Sequence, residues 1–215
     1  MLIVKLNEKN QQQLLQLAVD FLKAGKTIVY PTDTLYGLGA DALNPEAVEK
    51  IYKIKQRGFK QPIHVLLPSI ANAKKILQWN ITAQRLSKKF LPGPLSIALP
   101  IRSPNTALQR LTAGSGYLGF RLPKNSFALE LAKKFRHPVT ATSANPSHLH
   151  AAGYDPYSIE DVLKQFRFQK YRPDLIIDVG RLPKRKASTF IKIQDDVVEL
   201  LRSGPISGRQ IQSVL

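Results

Sequence analysis

The stretch that decides the fold reads Pro31-Thr32-Asp33-Thr34-Leu35-Tyr36-Gly37-Leu38-Gly39-Ala40. It follows directly on a short apolar run, Thr27 to Tyr30, which predicts a buried strand. The residues after that run are rich in hydroxyl groups, include one carboxylate and close with two glycines. A buried strand that opens into such a loop is typical of the site-forming edge of an α/β domain. The sequence therefore predicts an α/β fold with a functional site beside this loop.

Elsewhere in the chain, helix and strand patterns alternate at first, and adjacent strands follow toward the end. Apolar residues at helical spacing predict helices over 10–24, 45–55, 71–77, 82–90, 126–135 and 158–170, with a short helix after Ser207. Apolar runs predict strands over 26–30, 63–67, 95–101, 117–121, 139–142, 175–178, 188–193 and 197–201. This order predicts a single α/β domain over 1–215, with a twisted mixed parallel/antiparallel sheet flanked by helices. Mobile loops are expected at 146–157 and 180–187.

The composition excludes several classes of protein. The chain has 215 residues, enough for a domain with a sizeable core, and 43% of them are hydrophobic, as in ordinary globular proteins. It contains no cysteine, which excludes disulfides, a thiol nucleophile and a cysteine-ligated metal. No apolar run approaches the length of a membrane-spanning helix. We therefore expect a cytoplasmic protein with no membrane partner.

The charge of the chain is unusual. Its 32 basic residues against 15 acidic ones give a formal net charge of +17. Such an excess favours attraction to nucleic acid, nucleotides or an acidic surface. A solvated, lysine-rich surface without a specific partner explains the same charge, so both interpretations stay open.

A series of short motifs resembles the YrdC-like family of threonylcarbamoyl-AMP synthases, in its short single-domain form. The resemblance covers about 25–201 of the chain. Each motif is weak alone, but their order and spacing together are specific. The motifs are Tyr30 to Gly39, the Lys-x-Arg of Lys55 and Arg57, Pro92-Gly93-Pro94, Phe120-Arg121-Leu122-Pro123, the Ser-x-Asn of Ser143 and Asn145, Ser188-Thr189, and Leu201-Arg202-Ser203-Gly204-Pro205.

The resemblance implies a specific reaction. The amine of threonine captures bicarbonate to form a carbamate, whose oxygen attacks the α-phosphate of ATP while pyrophosphate leaves. ATP would bring Mg²⁺ with few protein ligands, and no metal-ligating residue of the protein is expected. The product would pass to a separate tRNA threonylcarbamoyl transferase complex that modifies the adenosine just 3′ of the anticodon. The implied partners are therefore ATP, L-threonine, bicarbonate, that complex, and tRNA or double-stranded RNA.

The resemblance also assigns roles to particular residues. The catalytic pair is Lys55 and Arg57. ATP would be bound by Lys55, Arg57, Gln61, Ser143, Asn145 and Arg202, and threonine by Thr32, Thr34, Arg121 and Ser188. No covalent nucleophile is needed, because such chemistry rests on positioning and on neutralising phosphate charge.

Each of these assignments has a plainer alternative. Lys55 and Arg57 could be a solvated pair that complements a helix dipole, although a guanidinium and an ammonium so placed can grip phosphate from two sides. The Ser-x-Asn tripeptide could be an ordinary turn. The two threonines could reflect β-propensity. Arg121 could form a surface salt bridge instead of a bidentate clamp on the threonine carboxylate.

The chain departs from the family near the threonine pocket. Many relatives carry histidine where Leu66 stands, and His64 lies two residues earlier, on the same face of a strand. His64 could substitute for that histidine, or it could simply be packed.

Two further patterns look like sites and are rejected. The G-x-G-x-x-G of Gly114 to Gly119 precedes a predicted strand instead of following one, so it is not a dinucleotide-binding motif. His148 and His150 are interpreted as loop residues without a metal site. The rival function is a non-catalytic RNA-binding relative that uses the same basic concavity.

Overall fold

A single hydrogen-bonded sheet runs through the described part of the chain, residues 1–102 and 105–215 of a computed structural model. Its ten strands in those residues are β1 (Leu2–Lys5), β2 (Ile28–Tyr30), β3 (Gly37–Gly39), β4 (His64–Leu66), β5 (Leu95–Pro100), β6 (Tyr117–Arg121), β7 (Val139–Ser143), β8 (Leu175–Asp178), β9 (Thr189–Gln194) and β10 (Val197–Arg202). The spatial order is β1-β8-β2-β3-β7-β4-β6-β5-β9-β10. The sheet is mixed: it contains parallel pairs such as β2 with β8 and β5 with β9, and antiparallel pairs such as β3 with β7 and β9 with β10.

Helices cover both faces of the sheet. They are α1 (Gln11–Lys23), α2 (Pro45–Lys55), α3 (Ile70–Ile76), α4 (Ile81–Phe90), α5 (Thr106–Leu111), α6 (Ser126–Phe135), α7 (Ser147–Ala151), α8 (Ile159–Phe166) and α9 (Gly208–Gln212). On one face α1 and α6 pack against β2 and β8 in a cluster that includes Leu15, Leu131, Ile28 and Ile177. The larger cluster on the other face joins α2, α4, α5 and α8 to the sheet. The predicted fold class, an α/β domain with a mixed sheet flanked by helices, is confirmed.

Most predicted elements occur within a residue or two of their expected bounds. The sequence patterns missed β1, β3, α5 and α7. Strand β3 reads Gly-Leu-Gly, which has little intrinsic β-propensity. It exists because the chain passes against Tyr30, so closely that a Cβ on Gly39 would lie 2.7 Å from that ring. The sequence predicts that helix α8 reaches residue 170, but it ends at Phe166. Phe168 does not continue the buried face of the helix and is 86% exposed.

The sequence predicts neither a dinucleotide-binding turn nor a membrane-spanning helix. The rejected glycine motif is preceded by α5 and runs into β6, the reverse of a dinucleotide-binding turn. Within 1–102 and 105–215, no helix combines the length and the apolar character needed to cross a membrane.

Candidate active site

A cavity of about 550 Å³ opens between the loop after β2, the end of α2 and the ends of β6, β7 and β10. All but one of the predicted site residues line it: Thr32, Thr34, Lys55, Arg57, Gln61, Arg121, Ser143, Ser188 and Arg202. The exception is Asn145. Residues from six separate segments therefore converge on one concave surface, as expected for ligand binding at strand ends.

The cavity is strongly electropositive. Lys55, Arg57, Arg121 and Arg202 line it, and no carboxylate does so in the described part of the chain. Like charges brought together in a partly enclosed space raise the local potential and favour anionic ligands. The arrangement therefore fits a ligand with several negative charges.

Lys55 lies at the C-terminal end of α2 and is only 1% exposed. Its ammonium donates to the Ser143 carbonyl oxygen at 2.8 Å, to Ser143 Oγ at 3.2 Å and to Asn145 Oδ1 at 3.0 Å. Burial, together with the nearby Arg57 charge, lowers the pKa of Lys55 to about 7. The alternative of a solvated helix-end lysine is wrong, because this ammonium is buried and held by three acceptors.

Asn145 lies behind the cavity wall and is fully buried. Its Oδ1 accepts from Lys55 and, at 2.6 Å, from the Ser143 hydroxyl, while its Nδ2 donates to the Tyr154 carbonyl oxygen at 2.9 Å. The sequence predicted a direct amide contact to phosphate or ribose. The structure instead makes Asn145 a positioning residue for Lys55 and Ser143, because its side chain is fully buried and its Oδ1 accepts from both of them.

Arg57 follows the helix end at Gln56, whose left-handed conformation (φ 49°) turns the chain into the cavity. Its Nε is buried and has no hydrogen-bond partner among the described residues. Burial lowers the pKa of Arg57 from its usual value, but a guanidinium stays protonated in proteins. A buried donor without a hydrogen-bond partner destabilises the folded protein. The Arg57 Nε–H is therefore available to donate to an acceptor atom of a ligand.

Arg121 is held by an ion pair of low exposure. Its Nη2 lies 3.0 Å from Asp33 Oδ2, with 11% and 13% of the two side chains exposed. The same carboxylate oxygen accepts from the Lys124 backbone N–H at 3.0 Å. Arg121 Nε has no partner within 1–102 and 105–215. The salt bridge foreseen as an alternative is present, but it is buried and orients Arg121 while leaving one edge of the guanidinium for a ligand.

The two threonines of the loop differ in what they can offer. Thr32 Oγ1 donates to the Leu35 carbonyl oxygen at 2.7 Å and accepts from the backbone N–H groups of Thr34 and Leu35. Thr34 Oγ1 has only a 3.4 Å contact with Thr32 Oγ1 among the described residues. Thr32 therefore shapes the loop, and Thr34 presents a hydroxyl to the cavity.

Ser188 and Arg202 form a second corner of the cavity. Arg202 donates from Nε and Nη2 to the Ser188 carbonyl oxygen at 3.1 and 2.9 Å. The Ser188 hydroxyl is buried and finds no partner in the described residues. The chain at Gly204 packs against the backbone beside Ser188. Only a glycine fits there, because a Cβ at this position would lie 2.3 Å from the Thr189 backbone nitrogen.

Helix α7 contributes residues that the sequence patterns missed. Ser147, His148 and His150 line the cavity, and His150 Nδ1 lies 2.6 Å from Asp155 Oδ1. The interpretation of these histidines as loop residues is wrong, because Ser147–Ala151 is helical. No group of three or more potential metal ligands occurs in the described residues. The sequence feature that could have indicated these cavity residues is their position directly after the Ser-x-Asn motif.

His64 and Leu66 both line the cavity, as their shared strand face predicts. The His64 ring packs 4.3 Å from the Phe190 ring, and a Cβ on Gly119 would lie 2.5 Å from it. Burial, reinforced by the charges of Arg202, Arg121 and Arg57, lowers the pKa of His64 to about 3. His64 is therefore a neutral, packed histidine in this structure.

Comparison with protein families gives one match across most of the chain. The Sua5/YciO/YrdC family model, described as "Telomere recombination", matches residues 20–204. The chain belongs to this family. A protein of Methanocaldococcus jannaschii named putative threonylcarbamoyl-AMP synthase is 34% identical over 95% of this chain and 92% of its own length.

Two solved structures extend the comparison. Pyrococcus abyssi Sua5 complexed with L-threonine superposes with a TM-score of 0.87 at 29% identity, covering all of this chain. The chain spans 61% of that longer protein. E. coli YciO superposes with a TM-score of 0.79 at 25% identity, covering 95% of both chains. Both members of the Sua5/YciO/YrdC family thus share the architecture described above.

Proposed function

We propose that this protein makes threonylcarbamoyl-AMP from L-threonine, bicarbonate and ATP, releasing pyrophosphate. The observation that carries the proposal is the cavity lined by four cations, and by no carboxylate in the described residues, in a member of the Sua5/YciO/YrdC family. Relatives bear the name threonylcarbamoyl-AMP synthase, and one relative was solved with L-threonine.

Threonine would bind at the end of the cavity formed by Arg121, Thr34 and Ser188. The free edge of the Arg121 guanidinium suits a carboxylate, and a charge-assisted bidentate contact fixes orientation as well as affinity. Hydroxyl groups of Thr34 and Ser188 have unused hydrogen-bonding capacity in the described structure. They would accept from or donate to the amine and hydroxyl of threonine.

The triphosphate would bind at the end formed by Lys55, Arg57 and Arg202, with Ser143 and Gln61 as polar neighbours. These cations offset charge on the phosphates and on the leaving pyrophosphate. Preorganised charge of this kind stabilises a phosphoryl-transfer transition state without covalent participation of the protein. A bound phosphate would also return the pKa of Lys55 toward its usual value, because an adjacent anion favours the ammonium.

The reaction balances without a protein nucleophile. The threonine amine attacks bicarbonate, and loss of water gives the carbamate. A carbamate oxygen then bonds to the α-phosphorus while the bond to pyrophosphate breaks. The protein holds both substrates so that the attacking oxygen faces the α-phosphorus, which converts a bimolecular encounter into an intramolecular step.

Mg²⁺ would enter only with ATP. The lining residues that the structure describes include no carboxylate, so they do not form a dedicated magnesium site. We assign no step to a protein-held metal. The adenylate product, in the cytoplasm, would be handed to the tRNA threonylcarbamoyl transferase complex.

The decisive experiment measures pyrophosphate release from ATP with bicarbonate, with and without L-threonine. Arg57→Ala should lower kcat/KM about tenfold or more, because a charge-assisted contact contributes roughly 1.5–3 kcal/mol. Lys88→Ala, on the exposed surface of α4, removes the same charge outside the cavity and should leave the rate unchanged. Threonine-independent release would refute the proposal. A wild-type rate in a folded Arg57→Ala variant would refute the role of Arg57 in binding the phosphates.

The net charge of +17 fits the synthase and also a second candidate, a non-catalytic RNA-binding protein. The same assay separates the two functions. RNA binding without any threonine-dependent pyrophosphate release would establish the second candidate.

A further inference from the structure

Three exposed aromatic rings lie beside the cavity mouth, outside the proposed active site. Phe59 is 50% exposed, Tyr171 is 43% exposed and Phe168 is 86% exposed. Isolated apolar residues on a surface are ordinary. These three differ because each ring has a cation within 6.0 Å of its centroid.

We call these rings and the cations near them the aromatic strip. Phe59 and Tyr171 are linked through side-chain contacts, and Arg167 and Phe168 adjoin Lys170 and Tyr171 along the chain. Arg110 lies 6.0 Å from the Phe59 ring, Lys53 and Lys170 lie 5.9 and 5.6 Å from the Tyr171 ring, and Arg167 lies 5.1 Å from the Phe168 ring. Glu49 joins its two halves through Lys53 at 2.7 Å and Arg110 at 4.0 Å. The aromatic strip consists of Lys53, Phe59, Arg110, Arg167, Phe168, Lys170 and Tyr171.

The aromatic strip borders the cavity directly. Gln56 lines the cavity, and its side-chain amide hydrogen-bonds to that of Gln169, which lies between Phe168 and Lys170. Gly58, next to Phe59, also lines the cavity. A long ligand on the aromatic strip would therefore pass beside the entrance without occupying the proposed active site.

We propose that the aromatic strip binds single-stranded nucleic acid through its unpaired bases. Aromatic rings interleaved with cations form the kind of surface on which bases stack while the phosphates meet positive charge. A duplex would not use the rings, because its bases are already paired and stacked. An acidic protein would be drawn by the cations but would give no reason for three rings exposed to water. This inference stands apart from adenylate synthesis and requires no catalysis.

The test uses fluorescence anisotropy at low salt with a labelled 12-nucleotide single-stranded RNA that cannot fold, the matched single-stranded DNA and a 12-base-pair RNA duplex. The variant is Phe168→Ala/Tyr171→Ala, which removes two rings and no charge. Stacking on one aromatic side chain commonly changes affinity by about fivefold to over a hundredfold. We therefore expect the double variant to bind the single strands at least about tenfold more weakly and the duplex almost unchanged.

Controls separate ring loss from misfolding. Tyr154→Ala removes a ring that is 63% exposed and lies outside the aromatic strip, and it should bind the single strand like the wild type. Phe168→Trp should preserve single-strand binding. Threonine-dependent pyrophosphate release should be equal in the wild type and the double variant. This measurement distinguishes failure of the nucleic-acid-binding proposal from failure of the proposed enzymatic activity.

Four results with nucleic acid would overturn the inference. They are undetectable single-strand binding at low salt, wild-type binding by the double variant, equal weakening of the single strands and the duplex, and equal weakening by Tyr154→Ala. A poly-glutamate peptide whose binding alone depends on Phe168 and Tyr171 would also overturn it, in favour of an acidic protein partner.

Discussion

Asn145 offers the sharpest test of how the site works, because the structure places it behind the cavity wall. Asn145→Ala removes one of the three acceptors around the Lys55 ammonium, the Oδ1 contact at 3.0 Å. A hydrogen bond to a charged group contributes about 1.5–3 kcal/mol. Since one pKa unit corresponds to about 1.36 kcal/mol, the pKa of Lys55 should fall by roughly one to two units.

The direction of this shift makes a pH-dependent prediction. Lys55 already has its pKa lowered to about 7, so about half of it is charged at neutral pH in the absence of a ligand. A further fall of one to two units leaves roughly a tenth to a hundredth of it charged at pH 7. We expect kcat/KM for ATP to drop by about five- to fiftyfold at pH 7 and to recover as the pH is lowered toward 5.

The assay is the pH profile of threonine-dependent pyrophosphate release for the wild type, Asn145→Ala and Asn145→Asp. The aspartate variant should raise the pKa of Lys55 and yet weaken ATP binding at every pH, because its carboxylate offsets the ammonium charge. Thermal unfolding of each variant checks that the buried substitution leaves a folded protein. A loss in Asn145→Ala that is the same at every pH would refute the reasoning and indicate a direct contact between Asn145 and the substrate.

Three further predictions concern backbone packing, acid stability and salt. Gly204→Ala should lower stability by about 1–3 kcal/mol and displace Ser188, because its Cβ would lie 2.3 Å from a backbone nitrogen, whereas Gly208→Ala meets nothing within 4 Å and should unfold like the wild type. His64 has its pKa lowered to about 3, so the unfolded state binds the proton first and stability should fall as the pH drops from about 6.5 toward 3. By pH 5 this loss in the free energy of unfolding reaches up to about 2 kcal/mol. Urea unfolding of His64→Leu should not show this loss. An equal pH dependence in that variant would contradict the interpretation of His64 as a buried, neutral histidine. Binding of tRNA should weaken steeply from about 50 to 200 mM salt. Pyrophosphate release should change far less, because the contacts between the cavity and its substrates are few and enclosed. Parallel loss of both would show that catalysis depends on the general surface charge.

The sequence predicted the local elements well where the local signal agrees with the final structure. Pro45 at the first position of α2 and Asn125 at the cap of α6 mark real helix starts, and those helices have the predicted bounds. Strand β1 was missed although Leu2-Ile3-Val4 is an apolar run, and its pairing with β8 joins residues more than 170 positions apart. Such pairing depends on partners that no local pattern records.

By itself, the sequence determined the α/β class, the family and a set of site residues of which all but Asn145 line the cavity. Residue type and order suffice for these, because hydrophobic periodicity sets the elements and strand ends bring their loops together. Only the tertiary structure decided what each residue does there. It buried Lys55 and set Asn145 Oδ1 against its ammonium, it paired Arg121 with Asp33, and it linked the surroundings of Phe59 and Tyr171 through Arg110, Glu49 and Lys53. Burial, charge pairing and the distance between residues remote in the chain are properties of packing, and packing depends on the whole fold at once.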